Sequence, residues 1–506
     1  MGSNFAQAVR AAARRPFEER RQRERELARA GAAELDTIAG LLTDDDVRVR
    51  RTVVEVLRLV GRDTPRALEM LCERFAREPD VKARRRIASA LGESGDAGHC
   101  AFLLDALERE SHRFVQASLI LALGSLRLSD WPDSWRARAG EAGPVGDALR
   151  KALANAQAPE TNGQQALPRP TGSYLLRCYP GAEPLSQLEL ERRGLEATVT
   201  TPGMLRLEAT GAELEPLSQL RSIRDDYHLV AEADAHGADE VAGACRRIDA
   251  LLGGAGELRF RLGMAGVPRL QRRKLLPKLA RRVEHELGWI NATSSYELNL
   301  EVFRLGARFG LAWHAASWPQ VRRPERETVA ASIHPSVAAG LALLAREGKP
   351  ADAAHTVLDP CCGSGTILAE HAALFPSARC IGIDIASDAV AMARANLEPL
   401  GKRCRVTRGN MRRLPLDDAS VDVAIANLPF GIRTRSEAVS PALYADAARE
   451  LHRVVSPGGT VVTYIANLRM FRNAFERAGW KPGTPTCAVD AGGLTVHVVR
   501  MQRGYP

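Results

Sequence analysis

One short pattern returns between residues 46 and 123. Asp46-Val47-Arg48-Val49-Arg50 leads to Leu57, Asp80-Val81-Lys82-Ala83-Arg84 to Leu91, and His112-Arg113-Phe114-Val115 to Leu123. These leucines stand 34 and 32 residues apart. Apolar residues recur at helical spacing before them, as in Leu35, Ile38, Leu41 and Leu42, so each unit reads as a pair of amphipathic helices. A helix pair of this size cannot bury its own apolar face, so units must stack to make a core. The first 155 residues are therefore expected to be an all-helical array, with Asp46 and Asp80 capping the second helix of their units and the third unit lacking the Asp.

The array cannot extend along the whole chain. At ~100–200 residues per domain, 506 residues imply roughly three domains. Residues 156–171 are rich in Pro, Gln and Gly, which is linker chemistry. From Tyr174 onwards the pattern reads β-α-β-β-α-β, as in a ferredoxin-like unit. A strand, a long basic helix near Leu270–Leu287 and two more strands follow, up to residue 320. From about 331, strands and helices alternate behind a glycine-rich first turn, the pattern of a doubly wound parallel sheet. The fold class expected is thus multidomain: all-α repeats, an α+β module and an α/β Rossmann-like domain.

Composition excludes some classes. No CxxC spacing occurs among the nine cysteines, so zinc ribbons and thioredoxin-like chemistry are excluded and no metal site is expected. Scattered thiols fit a reducing compartment, and a cytoplasmic location is expected. No apolar run reaches the ~18 residues of a membrane span. Residues 1–17 are rich in Arg and Ala and read as a first amphipathic helix.

Four segments carry chemistry. In Val357-Leu358-Asp359-Pro360-Cys361-Cys362-Gly363-Ser364-Gly365-Thr366, a strand ends at Asp359 and glycines bring the backbone close to a ligand before a helix begins. There is no GKS or GKT, which excludes a Walker nucleotide site, and no GxGxxG. In Ile381-Gly382-Ile383-Asp384, an acid ends the next strand, where it can accept both hydroxyls of a ribose. Ser387 is the better placed residue to cap the following helix. Arg408-Gly409-Asn410 ends the third strand and offers an amide to a base. Asn427-Leu428-Pro429-Phe430-Gly431 ends the fourth. There the Asn427 side-chain oxygen and the Leu428 or Pro429 carbonyl can accept both hydrogens of an exocyclic amine, Pro429 turns its carbonyl outward, and Phe430 can stack on a base.

The repeats resemble HEAT repeats. DPCCGSGT, then GID, then NLPFG resembles class I S-adenosylmethionine-dependent RNA methyltransferases acting on exocyclic amines. The stretch from Tyr174 to Gly194 resembles the start of the ferredoxin-like plus THUMP module of tRNA guanine-N2 methyltransferases. The form NLPFG is similar to the branch that modifies acceptor-stem guanine six. The resemblance covers roughly 172–506 and implies a domain order: 1–155 HEAT-like repeats, 156–171 linker, 172–250 ferredoxin-like, 251–320 THUMP-like, 321–506 methyltransferase. It also implies roles. Asp359, Cys362, Gly363 and Gly365 line the methionine part of S-adenosylmethionine, Asp384 holds its ribose, and Asn410 stands where the family has Asp at the adenine. Asn427, Leu428, Pro429 and Phe430 hold the target guanine, which must be flipped out of a stem. His334, at the start of a helix lying over the cofactor in relatives, is expected to be a local hydrogen-bonding group. A non-catalytic RNA-binding scaffold, or an amino-methyltransferase of DNA adenine, rRNA or protein glutamine, are the alternatives.

The net charge of +9 is unevenly placed. Residues 172–250 carry 8 basic and 14 acidic groups, whereas 251–320 carry 11 and 5. Arg269, Arg272, Arg273, Lys274 and Lys278 fall on the long basic helix, and Arg322, Arg323 and Arg326 in the connection that follows. With tRNA as the implied partner, these are the expected phosphate contacts. The repeats are expected to bind a protein partner or to extend the RNA footprint.

Overall fold

The structure, a computed structural model, describes residues 2–505 except 62–63, 157–165, 235–236, 255, 257, 293–295, 322, 325, 327–331, 430–440, 482, 484 and 492. It divides into two compact units, one of residues 1–164, 257–260 and 289–296, the other of 165–256, 261–288 and 297–506. No helix of the described residues is long and apolar enough to cross a membrane.

The first unit is helical, as its periodicity requires. Helix Gly2–Ala13 opens it, and the second helices of the repeats are Val47–Val60, Val81–Glu93 and Arg113–Ser125. Asp46 and Asp80 do cap theirs, accepting the N–H of Arg48 and of Ala83. His112 makes no side-chain cap, and Glu110 takes its N–H instead. A ladder of arginines then ties unit to unit. Arg50 is bidentate to Glu78 at 3.1 Å, and Arg84 to Glu110 at 2.9 and 3.3 Å. Each also donates backwards, Arg50 to the Asp44 and Asp45 carbonyls and Arg84 to those of Glu78 and Pro79. In the third unit Gln116 stands in for the arginine and donates to Glu110 O.

The helix Pro144–Ala156 continues the stack beyond the three units legible in the sequence. Its approach is so close that a Cβ on Gly124 would lie 2.6 Å from Ala152 Cα, just as one on Gly92 would lie 2.7 Å from Ala122 Cα. Glycine to alanine inside a helix is ordinarily stabilising by about 1 kcal/mol. At Gly124 backbone blocks the methyl, so Gly124→Ala is expected to lower the thermal midpoint of the helical unit in calorimetry. Gly40→Ala, where nothing lies within 4 Å, should not lower it.

From residue 172 onwards the chain holds two sheets. The strands of the first are β1 Gly172–Arg177, β2 Ala197–Thr201, β3 Met204–Ala209, β4 Asp225–Ala233, β5 Arg259–Ala265, β6 Ile290–Asn291, β7 Leu298–Leu305 and β8 Arg308–Ala315. Their order is β2-β3-β1-β4-β8-β7-β5-β6. The first four reproduce the ferredoxin-like arrangement, although its second helix is only Leu214–Leu217. The strands expected of two modules, 172–250 and 251–320, thus share one sheet, joined where β4 pairs with β8. Residues 166–171 depart from the linker expectation. Leu167 is buried, Arg169 pairs with Asp226, and Trp318 donates to Pro168 O.

The second sheet comprises β9 His355–Asp359, β10 Ala378–Asp384, β11 Cys404–Arg408, β12 Val421–Asn427, β13 Val455–Ile465, β14 Trp480–Lys481, β15 Pro485–Asp490 and β16 Thr495–Arg503. Its order is β11-β10-β9-β12-β13-β16-β14, parallel from β11 to β13, with β16 antiparallel to β13, β14 and β15. Buried apolar clusters line both faces.

Candidate active site

Strand order places the site. β9 and β12 are neighbours at the point where the parallel sheet reverses its winding, and ligands bind there beyond the carboxyl ends of the strands. Asp359 ends β9, Asp384 ends β10, Asn410 follows β11 and Asn427 ends β12. The structure therefore brings the four expected segments to one edge.

The glycine turn is held from both sides. The Cys362 N–H donates to Ile383 O at 2.9 Å, and Gly363 N–H donates to Asp384 Oδ2 at 2.9 Å. Gly365 has φ of 82° and sits under Leu397, whose Cδ1 would be 2.7 Å from a Cβ, so only glycine fits. Ser364 Oγ meets Ser332 Oγ at 3.0 Å, and the Asn396 amide donates to Ser364 O. Cys362 contributes backbone only, because its thiol packs into the core beside Gly382.

Asp384 does part of the work expected of Ser387. Its Oδ1 accepts the Ala386 N–H at 3.0 Å, while Ser387 is the first helical residue and caps nothing. Each Asp384 oxygen takes one N–H, and a carboxylate oxygen can accept another donor, as two ribose hydroxyls would supply. Beside it Ile385 is 63% exposed, an apolar face suited to a flat base. That residue was not singled out from the sequence, though an apolar side chain directly after the acid was the available signal. Asn410 Oδ1 accepts the N–H of Arg412 at 2.9 Å, closing a turn. Its amide nitrogen can still donate to a purine ring nitrogen, which aspartate could not do. The edge therefore fits an adenosyl group.

At the end of β12, Asn427 Oδ1 is shut off from solvent and Leu428 is buried. The Cys361 thiol donates to Asn427 O at 3.5 Å, and the Tyr444 hydroxyl donates to Pro429 O at 3.0 Å. Burial pushes both groups well above their usual pKa, so they remain donors at ordinary pH. The Pro429 carbonyl thus faces a buried hydroxyl, not outward as expected, and Leu428 offers the carbonyl between the two pinned ones. Tyr444 lies on the next helix, Pro441–Val454, and no sequence motif marked it. Phe430 lies outside the described residues, as does Arg322.

His334 behaves as expected. It caps helix Pro335–Ala345 through Nδ1, which accepts the Ser336 N–H, and its ring packs on Tyr179. Burial lowers its pKa to about 4. On the basic helix Arg269–Leu287, Arg269, Arg272, Arg273, Lys274 and Lys278 are all exposed. Arg323 and Arg326 are not on offer to a phosphate, because both pair with the buried carboxylate of Glu370, at 3.2 and 3.3 Å.

Asp359 is 1% exposed, and burial, reinforced by Asp384, raises its pKa to about 8. A carboxyl raised in the fold binds more protons folded than unfolded. Its charged form therefore destabilises the fold increasingly as pH climbs from about 4 to about 8. Asp359→Asn is expected to melt above the wild type by a margin that widens from pH about 5 to pH about 8.5, read by thermal denaturation at both.

Residues 322–494 match the UPF0020 family, described as RMKL-like, methyltransferase domain, and residues 35–124 match HEAT repeats. The U6 snRNA (guanine-N(2))-methyltransferase THUMPD2 of Bos taurus is 35% identical over 115 residues, 22% of each chain. The tRNA (guanine(6)-N(2))-methyltransferase THUMP3 of Bos taurus is 30% identical over 163 residues, 29% of this chain and 32% of its own. The chain thus matches less than a third of the length of these curated relatives. The crystal structure of TrmN from Thermus thermophilus superposes with a TM-score of 0.53 at 22% identity, covering 65% of this chain and 99% of its own. The chain accordingly joins a stretch similar to HEAT repeats, residues 35–124, to a stretch similar to the UPF0020 methyltransferase domain, residues 322–494.

Proposed function

We propose that this chain is an S-adenosylmethionine-dependent RNA methyltransferase that methylates the exocyclic N2 of a guanine in tRNA. The observation that carries the reading is the convergence of Asp359, Asp384, Asn410 and Asn427 at one edge of the parallel sheet, beside a glycine turn tied to Asp384. Two curated relatives are named as guanine-N2 methyltransferases, which supports the same chemistry. All nine cysteines are free, in keeping with a cytoplasmic location. The division 172–250, 251–320 and 321–506 belongs to the proposal, with the first two forming the RNA-binding module.

S-adenosylmethionine, when bound, supplies an electrophilic methyl on a sulfonium. Asp384 would hold its ribose, Ile385 and Asn410 its adenine, and Asp359 with the backbone of 361–365 its methionine end. A cation set against Asp359 would also draw the proton from that raised carboxyl. The guanine amine is a poor nucleophile because its lone pair is delocalised into the ring. Hydrogen bonds from its two N–H groups to Asn427 Oδ1 and Leu428 O favour a pyramidal nitrogen, whose lone pair then points out of the ring plane. Cys361 and Tyr444 keep that second acceptor in place. Positioning and electrostatics carry the acceleration, and the proton leaves to water afterwards. Arg269, Arg272, Arg273, Lys274 and Lys278 are the phosphate contacts of this reading.

Nucleoside mass spectrometry of tRNA treated with the protein and S-adenosylmethionine is expected to show N2-methylguanosine, and Asn427→Ala to abolish it while still binding the cofactor in calorimetry. Substantial turnover by that variant would overturn the assignment. U6 snRNA belongs in the same assay, because one matched relative is named for it. Tyr444→Phe is expected to lower kcat about tenfold without changing KM for S-adenosylmethionine, since it frees the loop and leaves the cofactor edge alone. An unchanged kcat would mean that Pro429 O needs no anchor.

A further inference from the structure

The methyltransferase chemistry makes no use of a groove on the second helices of the repeats. It encloses about 500 Å³ along Val47–Val60, Val81–Glu93 and Arg113–Ser125. Two carboxylates line it, Glu55 and Glu93, and Arg58 engages both, at 2.8 and 2.5 Å. Lys82, Arg85 and Arg86 line it too and, with Arg113 beside them, form no ion pair with the described residues. Lys82, Arg85 and Arg86 fall at i, i+3 and i+4, on one helix face. Arg85 is steadied by Ser118 Oγ at 3.2 Å, and Arg86 by the Arg51 carbonyl at 3.0 Å. Burial weakens the hold of Arg86 on its proton by more than the nearby Glu55 and Glu24 restore, so an incoming anion would relieve it. At the rim Phe114 is 41% exposed, with the Arg113 and Arg85 guanidiniums 5.0 and 5.8 Å from its ring centre.

We propose that this groove binds a single-stranded stretch of the RNA substrate, with phosphates on Lys82, Arg85 and Arg86 and a base on the Phe114 ring. The inference rests on the RNA reading of the active site and adds a second, independent contact to it. Unneutralised cations in a row fit a polyanion. The exposed aromatic flanked by guanidiniums favours nucleic acid over an acidic peptide, because every base has a flat face and a carboxylate does not need one.

The test is equilibrium binding of the full-length protein to a fluorescent oligouridylate, without S-adenosylmethionine, at several salt concentrations. Lys82→Ala with Arg85→Ala should weaken binding about tenfold and reduce the log–log salt slope by about 1.4, at ~0.7 per cation for single strands. Phe114→Ala should weaken it with the slope unchanged. Arg66→Ala with Arg77→Ala, two exposed arginines outside the groove, should bind as the wild type does. Wild-type affinity in both groove variants overturns the proposal, and loss of poly-L-glutamate binding by them would assign the groove to an acidic peptide. Methyl transfer is assayed separately. Its absence in the wild type would overturn the active-site reading without altering this comparison.

Discussion

Glu370 is fully buried one turn into the helix Thr366–Leu374 that the glycine turn launches, and much of the second unit is arranged around its charge. A carboxylate removed from water must be paired, and leaving one partner missing costs more than the pair is worth. Three arginines meet it: Arg221 at 2.8 Å, with Arg323 and Arg326. Arg221 is itself set in place by Glu189, another buried acid, which accepts the N–H groups of Arg221 and Ser222 at 2.8 and 2.7 Å. A chain of buried charge therefore runs from helix Glu183–Arg192 of the ferredoxin-like part to the helix beneath the cofactor edge. Apolar packing follows the same route, where Leu185 fills the space a Cβ on Gly340 would need. The ferredoxin-like part and the helix launched by the glycine turn are thereby held together by paired charge as well as by apolar contact.

The architecture was largely legible because periodicity reports burial, and burial decides element type. The repeat spacing, the β-α-β-β-α-β order and the alternation after residue 331 all reappear as elements. The site segments were legible because a parallel sheet must deliver its strand ends to one edge, so Asp359, Asp384, Asn410 and Asn427 had to converge once the strands were assigned. What escaped was pairing across the fold. Tyr444 and Cys361 act through hydrogen bonds to carbonyls, and nothing in local composition says which carbonyl a hydroxyl will meet. The outward Pro429 carbonyl was a local inference from proline geometry that a long-range donor overrode. Ser387 lost its capping role in the same way, since Asp384 reached the turn first.

Charge was the least legible quantity, for a related reason. Arginine in this chain has two uses that composition cannot separate. Arg50 and Arg84 hold repeat to repeat through Glu78 and Glu110, and Arg323 and Arg326 neutralise Glu370. None of these is available to a partner. Lys82, Arg85, Arg273 and Lys274 stand exposed without an ion pair among the described residues. A count over a segment adds the two kinds together, which is why the connection near residue 323 looked like an RNA surface. Each arginine's partner decides, and an acid at the right distance in sequence, as 28 residues separate Arg50 from Glu78, is visible only once the repeat register is known.

The cofactor edge is built against stability. Asp359 and Asp384 place two carboxyls on adjacent strands at the same end, one of them wholly out of water, and the buried one responds by holding its proton. A chain selected for stability alone would have an amide or a small apolar residue at Asp359. The arrangement becomes favourable when a ligand supplies what the fold withholds: a positive charge beside Asp359 and hydroxyl donors at Asp384. Binding and the ionisation of Asp359 are then linked, each favouring the other by the same free energy. The strain at this edge is thus itself a statement of ligand chemistry. It calls for a positive charge set beside Asp359, which neither a nucleoside triphosphate nor a neutral sugar would supply.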